Sequence, residues 1–191
     1  MIRFFAAPMA AMALLLAGAA DASAQGMFDF TGTSSTGFLG SGASPIPRTT
    51  VMYNGTYAPG TVVVNTAERR LYLVLGNGQA LRYGIGVGRD GFRWRGVHKI
   101  TAKREWPAWT PPAQMLARRP DLPRHMKGGI DNPLGARAMY LGSTLYRIHG
   151  SNEPETIGQA VSSGCFRMTN DDVTDLYSRV SVGTTVVVLN N

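Results

Sequence analysis

Short runs of alternating apolar and polar residues recur along the second two thirds of the chain, and they predict strands more often than helices. Thr61-Val62-Val63-Val64-Asn65 is a β-branched run. Residues 70–75 form a second run after a turn at Ala67-Glu68-Arg69, and Gly76-Asn77-Gly78 signals a tight hairpin. Residues 80–87 alternate through Leu81, Tyr83, Ile85 and Val87, so these three runs predict a meander. Residues 97–103 predict another strand. Residues 138–141 and 144–149 predict a hairpin around Gly142-Ser143, with Leu145, Arg147 and His149 on one face and Tyr146 and Ile148 on the other. Helical signals are fewer. Thr110-Pro111 starts a short helix with Met115 and Leu116 on its buried side, and residues 156–161 suit one helical turn. The clearest helix is capped by Thr169 or Asn170. It has Asp171 and Asp172 in its first turn and Val173, Leu176, Tyr177 and Val180 on one face. Residues 184–189 predict a strand completing the sheet opened by 61–75. The pattern predicts one mainly antiparallel β domain with one or two helices.

The first 56 residues do not share this patterning. Met1-Ile2-Arg3 carries a positive charge, residues 4–20 are apolar, and Ala22-Ser23-Ala24 offers small residues at both positions of an A-x-A site. This predicts a secretory signal peptide over residues 1–24, cleaved near Ala24, and so an exported, periplasmic protein. Residues 25–56 are rich in Gly, Ser, Thr and Pro and predict a flexible tether, in which Phe28, Phe30 and Phe38 are unusual. The folded unit is then 57–190, long enough to bury roughly two thirds of its surface without a disulfide or metal.

Charge and cysteine usage narrow the function. The formal net charge is +7. Outside the cytoplasm that argues against nucleic acid and suits an anionic envelope polymer or membrane surface. Cys165 is the only cysteine, so no internal disulfide can form. A lone thiol in an oxidising compartment is either a buried apolar residue or a working nucleophile. His149 lies upstream, and glycines (Gly150 and Gly164) adjoin both residues. Histidine can take the thiol proton, and the resulting imidazolium would stabilise the thiolate. The backbone N–H groups of Gly164 and Cys165 are candidates to hold an oxyanion, a backbone carbonyl at Gly150 can orient the imidazole, and Arg167 can hold a carboxylate or keep the thiol ionised. Tryptophans (Trp94, Trp106 and Trp109) cluster with basic residues in the irregular stretch 89–135, which has the character of a lid or binding loop. Tyr140, Arg147, Trp106 and Trp109 are the candidate substrate-binding residues. No cofactor is implied, and His98 and His125 have no metal-ligand spacing, so no metal is expected.

His149-Gly150 followed by Ser162-Ser163-Gly164-Cys165-Phe166-Arg167-Met168 resembles the signature of the L,D-transpeptidase catalytic domain, or YkuD domain: HG, a gap, then S-x-G-C-x-R. Asn132-Pro133-Leu134-Gly135 is similar to that family's NPLG segment, and the resemblance covers about residues 57–190. It implies a β-sandwich-like fold and a cell-wall enzyme. In that family the cysteine attacks the L-to-D bond of a peptidoglycan tetrapeptide stem. D-alanine leaves, and the acyl group passes as a thioester to an amine of another stem, giving a 3→3 cross-link. Water, a D-amino acid or a lysine of an envelope protein are the alternative acceptors, and carbapenem-type inhibitors are implied. By position the resemblance makes Cys165 the nucleophile, His149 the base and the Gly150 carbonyl the third element, while Ser162 and Gly164 shape the pocket and Arg167 supports it. Ser163 stands where many members have histidine. A rival class is a cell-wall-binding module without activity, which would have no need of an intact nucleophile.

Overall fold

The structure is a computed structural model and describes residues 44–190. The expected signal peptide and the tether over 25–43, with its three phenylalanines, lie outside the described residues. The fold is mostly β, with two short helices, α1 (Ala113–Arg118) and α2 (Asn170–Arg179). The strands are β1 (Thr49–Met52), β2 (Val62–Asn65), β3 (Arg70–Gly76), β4 (Gln79–Gly84), β5 (Val87–Gly88), β6 (Gly96–Glu105), β7 (Arg137–Leu141), β8 (Arg147–His149), β9 (Ala160–Ser162), β10 (Phe166–Arg167) and β11 (Thr185–Leu189). Nine of them run in the order β1-β4-β3-β2-β11-β6-β7-β8-β10, and β5 pairs with β9.

β2, β3 and β4 form the expected antiparallel meander, and β11 completes the sheet. It lies parallel to β2 and antiparallel to β6. Val186, Val187 and Val188 are all buried, as a central strand covered on both faces requires. β6 joins two halves of the sheet. Its first residues pair with β11, and after a register shift between Ile100 and Ala102 it pairs with β7. A shift of this kind bends a strand and lets it serve both halves. β7 then pairs with β8, and β8 with β10.

α2 lies against β7 and places Val173 and Leu176 in the core with Tyr83, Ile100, Met139 and Phe166. Thr169 caps it, its hydroxyl accepting from the Asp172 N–H at 3.2 Å. At the other end Lys103 Nζ donates to the Tyr177 and Val180 carbonyls at 2.7 and 2.6 Å, which satisfies groups the helix leaves unpaired. Among the described residues no helix is long and apolar enough to cross a membrane.

Several expectations are corrected. The tether does not extend to residue 56, because Thr49–Met52 pairs with β4 as an edge strand. Just before it, Arg48 lies 3.4 Å from both Asp172 and Asp175. β-branched Thr49-Thr50-Val51 suits a strand, but three of its four positions face solvent, so no alternation marked it. The sheet pairing is mainly antiparallel as expected, but three pairings are parallel, β2–β11, β8–β10 and β5–β9, which local pattern does not report. Residues 156–161 are not a helical turn: a 3-10 turn ends at Thr156, and Ala160–Ser162 is β9. α1 is not capped by Thr110, whose hydroxyl instead lies 3.1 Å from His125 Nδ1. Met115 and Leu116 are only half-buried, because α1 borders an open cavity and not the core.

The edge strand yields a prediction. A chain starting at Tyr53 loses the β1–β4 ladder and the Arg48 ion pairs that a chain starting at Ser44 retains. At roughly 2 kcal/mol, thermal melting of the shorter chain falls about 4–8 °C below that of the longer one; equal melting temperatures would mean that β1 contributes nothing to stability.

Candidate active site

β8 and β10 are short, but their parallel register sets Phe166 beside Ile148 and Arg167 beside His149. One step back along that register, Cys165 comes beside Arg147. The Met168 N–H donates to the His149 carbonyl at 2.8 Å and fixes the pairing. His149, Cys165, Arg147 and Arg167 all line one cavity of about 920 Å³.

His149 is buried, and its Nδ1 lies 2.6 Å from the Gly150 carbonyl oxygen. A carbonyl only accepts, so Nδ1 carries the hydrogen and Nε2 keeps its lone pair. That carbonyl is held in place from several sides. The Gly150 N–H donates to the Arg137 carbonyl at 3.0 Å. Gly135 has φ +62°, and a Cβ there would stand 2.6 Å from the Gly150 carbonyl carbon. Asn170 Oδ1 accepts from the Ala136 N–H at 2.9 Å, and a Cβ on Gly150 would come within 2.3 Å of that oxygen. Buried Asn132 shapes the Asn132–Gly135 turn, its Oδ1 accepting from the Leu134 N–H at 2.9 Å. The backbone must therefore approach itself closely at two glycines for the imidazole to be oriented.

The loop before Cys165 is equally constrained. Ser162 is buried, and its hydroxyl donates to the Cys165 carbonyl at 2.6 Å while accepting from the Gly164 N–H at 3.2 Å. The Gly164 amide is thus engaged, which leaves the Cys165 amide as the remaining oxyanion donor of the two expected. Gly164 has φ +106°, and a Cβ there would stand 2.5 Å from the Tyr146 ring. Trp94 Nε1 donates to the Gly164 carbonyl at 2.8 Å, and its indole stacks on Tyr146 at 4.5 Å. Trp94 is therefore an anchor beneath the loop that carries Cys165. Sequence reasoning placed it only among the basic residues of 89–135, because its partner lies 70 positions away.

Cys165 is half-buried, and its thiol donates to the Leu145 carbonyl at 3.7 Å. Burial pushes the thiol pKa up, against the opposing pull of Arg147 and Arg167. Burial also lowers His149 to about 3, and the Arg167 and Arg147 charges add to this. The pair rests as a neutral thiol and a neutral imidazole. Both arginines and the low polarity of the site disfavour a charged ring at rest, so the imidazolium named above belongs to the step in which the thiol proton is transferred.

The other expected residues divide. Ser163 and Trp109 line the cavity, and Trp109 is held there by reciprocal backbone hydrogen bonds of 2.8 Å with Met126. Trp106 does not line it; this residue is 42% exposed and turns the chain out of β6 at φ 39°. Tyr140 does not line it either: it pairs with Arg147 across β7–β8, and its ring lies 5.2 Å beneath the guanidinium. Sequence reasoning did not single out Glu153, whose carboxylate lies 2.8 Å from Arg167 Nη1. No spacing signal links two charges in a loop and a strand 14 residues apart. Residues 109–134 supply much of the opposite wall, including Met115, Arg118 and Leu122. Among the described residues no group of three or more His, Cys, Asp or Glu side chains is placed to hold a metal.

Two measurements check the protonation states. Alkylation of Cys165 by iodoacetamide should climb through the alkaline range; a rate already at plateau below pH 6 would indicate a resting ion pair. Folding stability should also fall as pH drops from 6.5 toward 3. In that window the unfolded chain protonates His149 and the folded chain does not, so stability is fully present above 6.5 and lost below. The loss is on the order of a few kcal/mol, and His149→Gln flattens that part of the urea-denaturation profile; an unchanged slope would contradict a buried neutral ring.

A profile of the L,D-transpeptidase catalytic domain (YkuD) matches residues 59–188. Probable L,D-transpeptidase YcfS of Escherichia coli K12 is 38% identical over 139 residues, covering 68% of this chain and 43% of the relative. The chain thus spans less than half the length of that curated relative. A solved Brucella melitensis protein described as a probable carnitine operon oxidoreductase caia is 49% identical, with TM-score 0.51, covering 75% of this chain and 93% of that one. L,D-transpeptidase 3 from Mycobacterium tuberculosis, solved with a faropenem-derived adduct, shares the fold at 15% identity and TM-score 0.54, covering 68% of this chain and 60% of that one. With the profile matched over most of its length, this chain belongs to the L,D-transpeptidase catalytic domain (YkuD) family.

Proposed function

We propose that the chain is an exported peptidoglycan L,D-transpeptidase acting in the periplasm, with Cys165 as nucleophile and His149 as base. The observation that carries this reading is the His149 Nδ1–Gly150 carbonyl bond inside the cavity that Cys165 also lines, which leaves Nε2 as a free base. The donor is a tetrapeptide stem, attacked at the carbonyl of its third residue. As the carbon–sulfur bond forms, the thiol proton passes to Nε2, and the oxyanion gathers at the Cys165 amide. Collapse breaks the carbon–nitrogen bond, and the imidazolium returns its proton to the departing amine of D-alanine. A thioester remains. An acceptor amine then attacks it and gives its proton to His149, and the departing sulfur recovers that proton.

A neutral resting pair suits this sequence. The ring accepts a proton only while the sulfur attacks, so charge is created in the transition state and not stored beforehand. The wall formed by residues 109–134 is the natural place for the acceptor strand, since β8 and β10 occupy the nucleophile side.

Incubation with disaccharide-tetrapeptide, followed by mass spectrometry, should give cross-linked dimers with loss of D-alanine. Tripeptides alone would assign water as acceptor. Cys165→Ala and Cys165→Ser should lower turnover by at least ~10³-fold with melting unchanged, in line with losses of other nucleophiles; turnover retained by either variant sinks the mechanism. A carbapenem should add its mass to the peptide bearing Cys165, and a label elsewhere would misplace the site.

A further inference from the structure

Several arginines line the cavity, but they are not equivalent. Arg167 is engaged by Glu153 at 2.8 Å. Arg89 and Arg118 lie over the Phe92 ring, at 4.5 and 5.1 Å from its centroid. Like Arg89 and Arg118, Arg147 forms no ion pair among the described residues, but it alone of these has its Nε buried without a hydrogen-bond partner. The Tyr140 ring backs its guanidinium at 5.2 Å. Strand alternation turns Arg147 to the face of His149, and the β8–β10 register sets it beside Cys165.

We propose that Arg147 receives the carboxylate of the departing D-amino acid and so restricts the donor to stems that end one residue beyond the scissile bond. This rests on the acyl-transfer reading above. A buried donor on a cation is costly when unpaired, and a carboxylate is the group that satisfies a guanidinium through two parallel hydrogen bonds. The dimensions agree. In a stem of this length the terminal carboxylate carbon lies only about 3–4 Å from the carbonyl carbon under attack, since the amide nitrogen and one Cα intervene. A cation beside the attacking sulfur is therefore within reach of that carboxylate. In a stem one residue longer, a neutral peptide group would face the half-buried Arg147 and leave its guanidinium without an anionic partner.

A rival role is support of the thiolate alone, which the lowering influence of Arg147 on the thiol would also serve. The two roles differ in what they discriminate. Thiolate support affects every donor alike, whereas carboxylate reception affects only donors with a free terminus. The test compares a disaccharide-tetrapeptide with its C-terminal amide, measuring kcat/KM for D-alanine or D-alaninamide release. Wild-type protein should favour the free acid by ~10- to 100-fold, the worth of a charged hydrogen-bonded pair. Arg147→Gln should collapse that ratio toward one, chiefly through KM, and Arg147→Lys should restore part of it. Circular dichroism and iodoacetamide labelling of Cys165 establish that each variant is folded with its thiol intact. A ratio unchanged in Arg147→Gln, or an equal loss on both donors, overturns the proposal. Wild-type protein that releases neither product removes the acyl-transfer reading, and the proposal with it.

Discussion

The site depends on a hydrogen bond between neighbours in the chain, from His149 Nδ1 to the Gly150 carbonyl. Most histidine bases are oriented by a side chain carboxylate or amide. Here a main-chain oxygen does it, and a carbonyl cannot be moved by changing a rotamer. It can only be placed by the backbone. This explains why two glycines meet at that point, why Asn170 and Asn132 spend their side chains on backbone amides, and why β8 is pinned between β7 and β10. A carbonyl brings a dipole without a full negative charge. The imidazolium therefore lacks the partner that would stabilise it at rest, and burial with two nearby arginines keeps the ring neutral.

The same constraint organises the opposite side of the pair. Cys165 follows a turn closed by the Ser162 hydroxyl and floored by Trp94 and Tyr146. The Gly164 and Cys165 carbonyls are occupied by side chains and the Ser162 carbonyl by the Arg89 N–H, so the loop is held without being part of a long strand. Arg147 and Arg167 flank the thiol from β8 and β10, one backed by an aromatic ring and one by Glu153. Their charges favour the sulfur anion and oppose the imidazolium. In the proposed reaction, proton transfer would therefore accompany attack and not precede it.

Much of this was legible in the sequence, for reasons that differ by residue. Strand β2 announces itself as a β-branched run buried on both faces, and β3, β4, β7 and helix α2 through a buried side or unambiguous turn and cap residues. Cys165 and His149 stand out because reactive residue types are rare in the chain and sit beside glycines. The parallel β8–β10 pairing was not legible: runs of two or three residues are too short for any period to register. β1 escaped because it lies exposed at an edge. Trp94 and Glu153 escaped because their partners are distant or lie in loops, and Trp106 attracted attention through residue type alone. Sequence names the candidate reacting residues here, whereas the props that hold them are set by tertiary packing.

The central claim is that the acyl group passes through a thioester on Cys165. Rapid acid quenching of the protein with a tetrapeptide donor, followed by intact-mass and peptide mapping, tests it most directly. The account predicts an adduct equal to the donor less D-alanine, confined to the peptide carrying Cys165 and removed by neutral hydroxylamine. An adduct stable to hydroxylamine, or product formed at full rate with an adduct on any other residue, would contradict it.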